Sequence, residues 1–191
     1  MSLRAGLICL AMLLGGCALL PAAPTPAARP IPSDSAPFAL NGRISIHHQG
    51  ERHSAGLRWN HQLQSDEILL LTPLGQTTAR VYSDNRIATL ERDGKRYQAD
   101  DVESLMQREL GWHLPLGSLR HWLLGMAHPA TPAHTERTDS GQIAVLVQDG
   151  WEVRYLKYAD TRPDSLPARL QLRHEDMQVQ LLIDEWDWNP R

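Results

Sequence analysis

Hydrophobic and polar residues alternate along much of the chain after residue 37. From Phe38 to His47, every second residue is apolar or glycine, which is typical of a β-strand with one buried face. Gln49-Gly50 predicts a turn, and the same alternation continues over residues 55–59. Further strands are predicted over residues 68–72, 77–83, 86–91, 95–99, 143–148, 151–158, 169–174 and 178–186.

The period of the pattern changes between residues 100 and 125. Asp100-Asp101 followed by Glu103 is typical of a capped helix start, and Gly111 of a helix end. A second helix is predicted from about Pro115 to Gly125. The apolar stripes of the two helices are Val102, Leu105, Met106 and Leu110, and Leu116, Leu119, Trp122 and Leu123. Residues 126–138, with two prolines, are predicted to be a loop.

The order of strands, two helices and strands again indicates an α+β fold. Antiparallel strands wrapped around two helices would form a partly open barrel. Residues 38–191 have the size of one domain.

A turn with an apolar tip interrupts the strand pattern at residues 72–76. The strand ending at Leu71 is followed by Pro73, which lacks an N–H donor, and by Gly75, which tolerates positive φ. Leu74 lies between them, where turns usually carry Asn, Asp or Ser. Leu74 either folds back onto the core or projects outward to contact an apolar partner.

The amino terminus has the features of a secretory signal followed by a tether. Residues 1–16 combine one positive charge with a short apolar stretch, and Leu14-Gly15-Gly16-Cys17 resembles the bacterial lipobox, in which the cysteine is acylated. The alternative is an ordinary signal peptide with a coincidental cysteine. By resemblance to other lipoproteins, the absence of Asp after Cys17 favours the outer membrane. Residues 17–37 are rich in proline and predict an extended tether of about 60 Å at about 3.1 Å per residue.

Composition and motifs argue against several functions. The formal net charge is −3 and no basic patch stands out, so we expect no nucleic-acid partner. The sequence has no phosphate loop, no Gly-x-Ser-x-Gly and no His-Glu-x-x-His motif. Its nine histidines are scattered and are interpreted as surface residues. We therefore expect no catalytic activity, no cofactor and no metal site.

An ordered set of short motifs spans the domain: Leu40-Asn41-Gly42-Arg43, Leu57-Arg58-Trp59, Leu70-Leu71-Thr72-Pro73-Leu74-Gly75, Asp100-Asp101, Leu110-Gly111, Leu114-Pro115-Leu116, Leu119-Arg120-His121-Trp122-Leu123-Leu124-Gly125 and Gly150-Trp151-Glu152-Val153-Arg154-Tyr155. The set resembles the LolB family, the outer-membrane lipoprotein receptors of Gram-negative bacteria. Thr72 stands where Asn is expected from the family pattern, and the proline-rich tether exceeds what the resemblance covers.

The resemblance implies an unclosed antiparallel half-barrel whose helices cover an apolar cavity. It implies a lipid-anchored receptor, facing the periplasm, that takes acylated lipoproteins from the soluble carrier LolA and inserts them into the outer membrane. In that family an exposed apolar residue on a strand-connecting loop is needed for release, and Leu74, between Pro73 and Gly75, matches it.

The expected cavity lining consists of aliphatic and aromatic residues, each of which has ordinary core packing as its alternative role. The lining residues are Ile44, Ile46, Leu57, Trp59, Leu69, Leu71, Val81, Leu105, Met106 and Trp122. The implied partners are LolA, lipoprotein acyl chains and outer-membrane phospholipid, and we expect a monomer. Two other functions stay open: a lipoprotein that binds a small apolar ligand, and a structural envelope lipoprotein with a filled core.

Overall fold

The computed structural model describes residues 36–188, which form eleven strands and two helices. The strands are β1 (Phe38–His48), β2 (Glu51–Gln62), β3 (Ser65–Leu71), β4 (Thr77–Asp84), β5 (Ala88–Arg92), β6 (Lys95–Ala99), β7 (Ala133–Arg137), β8 (Ile143–Gln148), β9 (Trp151–Tyr158), β10 (Pro167–His174) and β11 (Met177–Asp187). The helices are α1 (Val102–Leu110) and α2 (Leu116–Leu123). The signal, Cys17 and nearly all of the tether lie outside the described residues.

All eleven strands belong to one antiparallel sheet in the order β6-β5-β4-β3-β2-β1-β11-β10-β9-β8-β7. Hairpins connect most neighbours, while β1 and β11, from opposite ends of the chain, pair in the centre with Ile44 opposite Leu181. Among the described residues, the edge strands β6 and β7 do not pair with each other. The α+β class with an unclosed antiparallel sheet is therefore confirmed.

The sheet curls around α2. Arg120 of α2 lies 3.7 Å from Asp66 of β3, while Trp122 is hydrogen-bonded to Gln148 of β8. Five strands separate β3 from β8, and a flat sheet would place them about 29 Å apart at about 4.8 Å per strand. A helix about 10 Å wide cannot reach both. The two halves of the sheet must fold towards each other, which produces a half-barrel.

One face of the curled sheet carries the core. Side chains at alternate positions of each strand point inward, as Leu40, Ile44 and Ile46 do on β1. Gly42 occupies an inward position where β11 bulges, because a Cβ there would lie 2.1 Å from the Leu182 carbonyl oxygen. The strand alternation thus separates a packed inner face from an outer face with many polar residues.

Both helices have the predicted positions. Asp101 caps α1 by accepting hydrogen bonds from the backbone N–H groups of Glu103 and Ser104, and Gly111 ends the helix at φ +78°. The side-chain hydrogen bond with Ser104 contributes most to lowering the pKa of Asp101, whereas burial raises the pKa of Glu103. No helix in the part of the chain that the structure describes is long and apolar enough to cross a membrane.

One segment differs from the sequence expectation. Residues 126–138 were expected to form a loop, but Ala133–Arg137 forms β7 and pairs with β8. Pro129 and Pro132 both precede the strand, so neither removes a donor from its hydrogen bonds. The prediction is wrong because proline prevents strand hydrogen bonding only at the position that it occupies, and both prolines lie before the strand.

Candidate functional site

A buried glutamine fixes α2 to the inner face. The Gln148 side-chain oxygen accepts hydrogen bonds from Trp122 Nε1 and from the backbone N–H of His128, both at 2.9 Å. Its amide nitrogen donates to the backbone carbonyls of His128 and Thr131 at 2.7 and 2.9 Å. Tyr155 adds a hydrogen bond from its hydroxyl to the Trp122 carbonyl at 2.9 Å. Because these bonds are buried and directional, they set the orientation of α2.

A buried carboxylate contacts α2 from the opposite wall. Asp66 Oδ1 accepts a 2.8 Å hydrogen bond from Trp59 Nε1 and lies 2.9 Å from His61 Nδ1. Its other oxygen lies 3.7 Å from a guanidinium nitrogen of Arg120. A buried charge needs such partners, since an unpaired one is strongly destabilising. Asp66 therefore joins β2, β3 and α2.

Eight of the ten residues expected to line the cavity lie in one hydrophobic cluster between the sheet and the helices. They are Ile44, Ile46, Leu57, Trp59, Val81, Leu105, Met106 and Trp122. The cluster is closely packed in this structure: Leu105 and Trp122 have no exposed surface. A cavity beside Phe38, His61 and Arg120 has a volume of about 10 Å³, close to the minimum for one water molecule. An acyl chain would need the helices to move.

Leu69 and Leu71 do not join this cluster. In the β2–β3 register, Leu69 lies opposite Arg58 and Leu71 opposite Gly56, whereas Ile68 and Leu70 lie opposite Trp59 and Leu57. Neighbours directly opposite share a face, so Leu69 and Leu71 point outward. The expectation for these two residues is corrected: the run from Ile68 to Leu71 is apolar on both faces, and alternation could not show which face is buried.

The turn after β3 holds Leu74 in solvent. The backbone N–H of Gly75 donates to the Thr72 carbonyl at 2.9 Å, and the N–H of Thr72 donates to the Gln76 carbonyl at 2.8 Å. The Thr72 hydroxyl oxygen also accepts from the N–H of Gln76 at 3.1 Å. Leu74, at the tip, is 88% exposed. It does not fold back onto the core, which leaves the outward interpretation.

A second exposed leucine provides a comparison at the opposite end of the sheet. Leu63, 64% exposed, lies in the turn between β2 and β3, whereas the Leu74 turn follows β3. Successive hairpin turns of an antiparallel sheet lie at opposite ends. The same substitution at Leu63 and at Leu74 therefore compares one chemical change at the two opposite ends of the sheet.

The structure also corrects the interpretation of two histidines. All nine were expected at the surface, but His61 and His121 are 3% and 7% exposed. His61 contacts Asp66, and His121 Nδ1 lies 3.0 Å from the Gly117 carbonyl oxygen. The described residues contain no group of three or more His, Cys, Asp or Glu side chains placed to hold a metal ion.

Sequence reasoning assigned no structural role to Asp66, Gln148 or Tyr155. All three occupy inward positions of strands, alternating with Ile68, Leu146 and Val153. They could have been identified as polar residues at strand positions that the alternation predicts to be buried, because such residues need hydrogen-bond partners.

Comparison with known proteins gives the family. Residues 36–186 match the family model described as "Outer membrane lipoprotein LolB". The chain belongs to the LolB family of outer-membrane lipoproteins. The LolB protein of Chromobacterium violaceum is 37% identical over 184 residues, which is 96% of this chain and 98% of that protein. The LolB protein of Azoarcus sp. strain BH72 is 38% identical over 188 residues, covering 96% of this chain and 94% of that protein.

Among solved structures, a LolA superfamily protein from Nitrosomonas europaea is similar in fold with a TM-score of 0.48 and 7% sequence identity. The similarity covers 82% of this chain and 88% of that one. Membership of the LolB family, a family of receptors rather than of known enzymes, supports a role for the chain in lipoprotein localisation.

Proposed function

We propose that the chain receives acylated lipoproteins from the periplasmic carrier LolA and inserts them into the outer membrane, acting as a monomer. Acylated Cys17 anchors it to that membrane, and residues 17–37 connect the anchor to the folded part. The observation that carries the proposal is Leu74: an 88% exposed leucine held at the tip of a hydrogen-bonded turn in a member of the LolB family.

The hydrophobic cluster beneath the helices is the proposed acyl-chain site. Exposing an acyl chain to water costs about 0.8 kcal/mol per CH₂ group. Apolar walls reduce this cost and accept chains of different length, because the hydrophobic effect has no directional demand. In the proposed cycle a helix leaves the cluster, the acyl chains replace it, and the inner-face residues Ile44, Leu57 and Val81 contact them.

Transfer is proposed to run down a gradient of affinity from carrier to receptor to bilayer. Burying Leu74 in lipid contributes roughly 1.5–3 kcal/mol. That amount favours docking of the turn on the bilayer, but it does not hold a protein there, since stable attachment takes more burial than one side chain offers. Anchoring therefore belongs to Cys17, and Leu74 acts at delivery.

The test follows a labelled lipoprotein from LolA to the chain and then to phospholipid vesicles. With Leu74→Glu we expect normal movement from LolA to the chain and at least a tenfold loss of onward transfer, because a charged tip does not enter the bilayer. Leu63→Glu, which makes the same change at the opposite end of the sheet, is the control and is expected to deliver normally.

Two results would contradict the proposal. Normal delivery by Leu74→Glu would remove the role assigned to the turn. No movement of the lipoprotein from LolA to the unsubstituted chain would favour the other two functions, a ligand-binding lipoprotein or a structural one. Binding of a small apolar probe would then distinguish them: a ligand-binding lipoprotein binds the probe, whereas a structural one with a filled core does not.

A further inference from the structure

A groove of about 660 Å³ lies on the outer face of the sheet beside the Leu74 turn. Leu69 and Arg80, on the outward side of β3 and β4, form part of it, and the β5–β6 turn forms the rest. Four basic and three acidic side chains line it. The groove is thus a charged surface with an apolar patch.

Its basic side chains differ in how far they are neutralised. Arg80 contacts Glu67, Arg96 lies 3.6 Å from Glu91, and Arg92 lies 3.2 Å from the adjacent Asp93. Lys95 has no ion pair within residues 36–188. Arg92 and Lys95 are directly opposite each other on β5 and β6; the pairing of Arg92 with Ala79 puts them in the inward phase of the strands, and they border the groove beside the β5–β6 turn. Because Asp93 offsets Arg92, this end of the groove carries one excess positive charge, on Lys95, and favours an anion.

The strand register places this basic pair just behind the tip that carries Leu74. Arg92 is paired with Ala79, and Ala79 with Leu70, so Arg92 and Lys95 lie level with the end of β3. One residue of strand is about 3.4 Å long. The headgroup layer on each side of a bilayer is roughly 5–8 Å thick. With Leu74 among the acyl chains, Arg92 and Lys95 therefore lie at the depth of the lipid phosphates.

We infer that Arg92, Lys95 and the adjoining groove bind anionic phospholipid headgroups of the bilayer that Leu74 enters. Leu71, which points outward over Gly56, adds apolar contact at the same level. The inference rests on the proposed function, because it takes the position of Leu74 in the bilayer from it. It adds a second determinant of membrane binding: Leu74 contacts the acyl chains, and Arg92 and Lys95 bind the anionic headgroups.

The chain offers a matched control for this pair. Lys157 and Arg169 are also exposed and directly opposite each other, but on β9 and β10, so that β2, β1 and β11 lie between them and β3. The double variants Arg92→Glu/Lys95→Glu and Lys157→Glu/Arg169→Glu therefore change net charge equally, and each reverses the charge of one exposed cross-strand pair. Only the first changes the surface next to Leu74.

The experiment measures binding of the mature chain from residue 17, with Cys17→Ala so that no acyl chain is attached, to vesicles of phosphatidylcholine with and without phosphatidylglycerol. One basic residue near an anionic bilayer contributes about fivefold to binding, and the glutamates add repulsion, so Arg92→Glu/Lys95→Glu is expected to lose at least about thirtyfold on the anionic vesicles. The Lys157→Glu/Arg169→Glu control is expected to lose less than about threefold, because exposed charges beyond a Debye length are screened.

Three outcomes would overturn the inference. Equal losses in the two double variants would mean that only net charge matters. Equal binding to both vesicle types by the unsubstituted chain would mean that headgroup charge is not sensed. Competition by inorganic phosphate at constant ionic strength would identify a site for free phosphate instead of lipid.

Delivery measured with Leu74→Glu separates this inference from the proposed function. If delivery depends on Leu74 but vesicle binding by Arg92→Glu/Lys95→Glu is unchanged, only the inference is overturned.

Discussion

The two helices that cover the inner face are attached to it in different ways. Around α2, Trp122 bonds to buried Gln148 and Tyr155, and Arg120 contacts buried Asp66. α1 packs through Leu105 and Met106, and Arg108 donates an exposed hydrogen bond from α1 to the Gln98 carbonyl of β6. Buried polar bonds fix one geometry, whereas apolar contacts tolerate displacement. We therefore expect α1, rather than α2, to move when the inner face opens.

Replacing Gln148 should give the largest effect. Gln148→Leu keeps a similar volume but leaves Trp122 Nε1 and the His128 backbone N–H without this acceptor, and each buried unsatisfied group costs about 1–3 kcal/mol. We expect a loss of about 3 kcal/mol in the free energy of unfolding, measured by urea denaturation.

The matched variant is on α1. Gln107→Leu removes exposed bonds to the Gly111 carbonyl and to His113, and should change stability by less than about 0.5 kcal/mol. Equal losses in the free energy of unfolding for Gln148→Leu and Gln107→Leu would show that α2 is not held more firmly than α1.

An intermediate effect is expected at the start of α1. Asp101→Ala removes the helix cap and should cost about 1 kcal/mol at neutral pH. Because the pKa of Asp101 is lowered by folding, its contribution is complete above the ordinary value of 3.8 and is lost as the pH falls below it. The difference between Asp101→Ala and the unsubstituted chain should therefore shrink below about pH 4.

Asp100→Ala serves as the control for the cap, since it removes the neighbouring carboxylate while leaving the Asp101 bonds in place. Thermal unfolding across this pH range checks both variants. A pH-independent cost of Asp101→Ala would show that the carboxylate charge does not contribute to the cap.

The smallest effect is expected at the bond between α1 and β6. Arg108→Ala should reduce stability by less than about 0.5 kcal/mol, because the Arg108 side chain is mostly exposed and exposed polar contacts contribute little. Arg120→Ala on α2 should cost more, since it leaves the buried Asp66 carboxylate without its cation. Amide hydrogen exchange of the unsubstituted chain should be faster in α1 than in α2; slower exchange in α1 would reverse the comparison.

Much of the fold follows from sequence periodicity. Strands β6, β8 and β9 have the predicted limits, and both helices begin and end near the predicted caps. Leu74 was identified because turn chemistry does not explain an apolar tip. The face of β3 was not predictable, since Leu69 and Leu71 are as apolar as Ile68 and Leu70. The contact of Asp66 with Arg120 and the partners of Gln148 were not predictable either, because contacts between the strands and α2 depend on the curvature of the half-barrel.

The central pairing of β1 with β11 has a consequence for the order of assembly. Ile44 and Leu181 meet only after nearly the whole domain has been synthesised, and closing so long a loop carries an entropy cost before any contact repays it. A high proportion of such distant pairs slows folding. Until β11 has been synthesised, strands β1–β6 and strands β7–β10 cannot join into one sheet, because β11 pairs with both β1 and β10. The same topology that joins the first strand to the last therefore delays completion of the native state until the final strand has been synthesised.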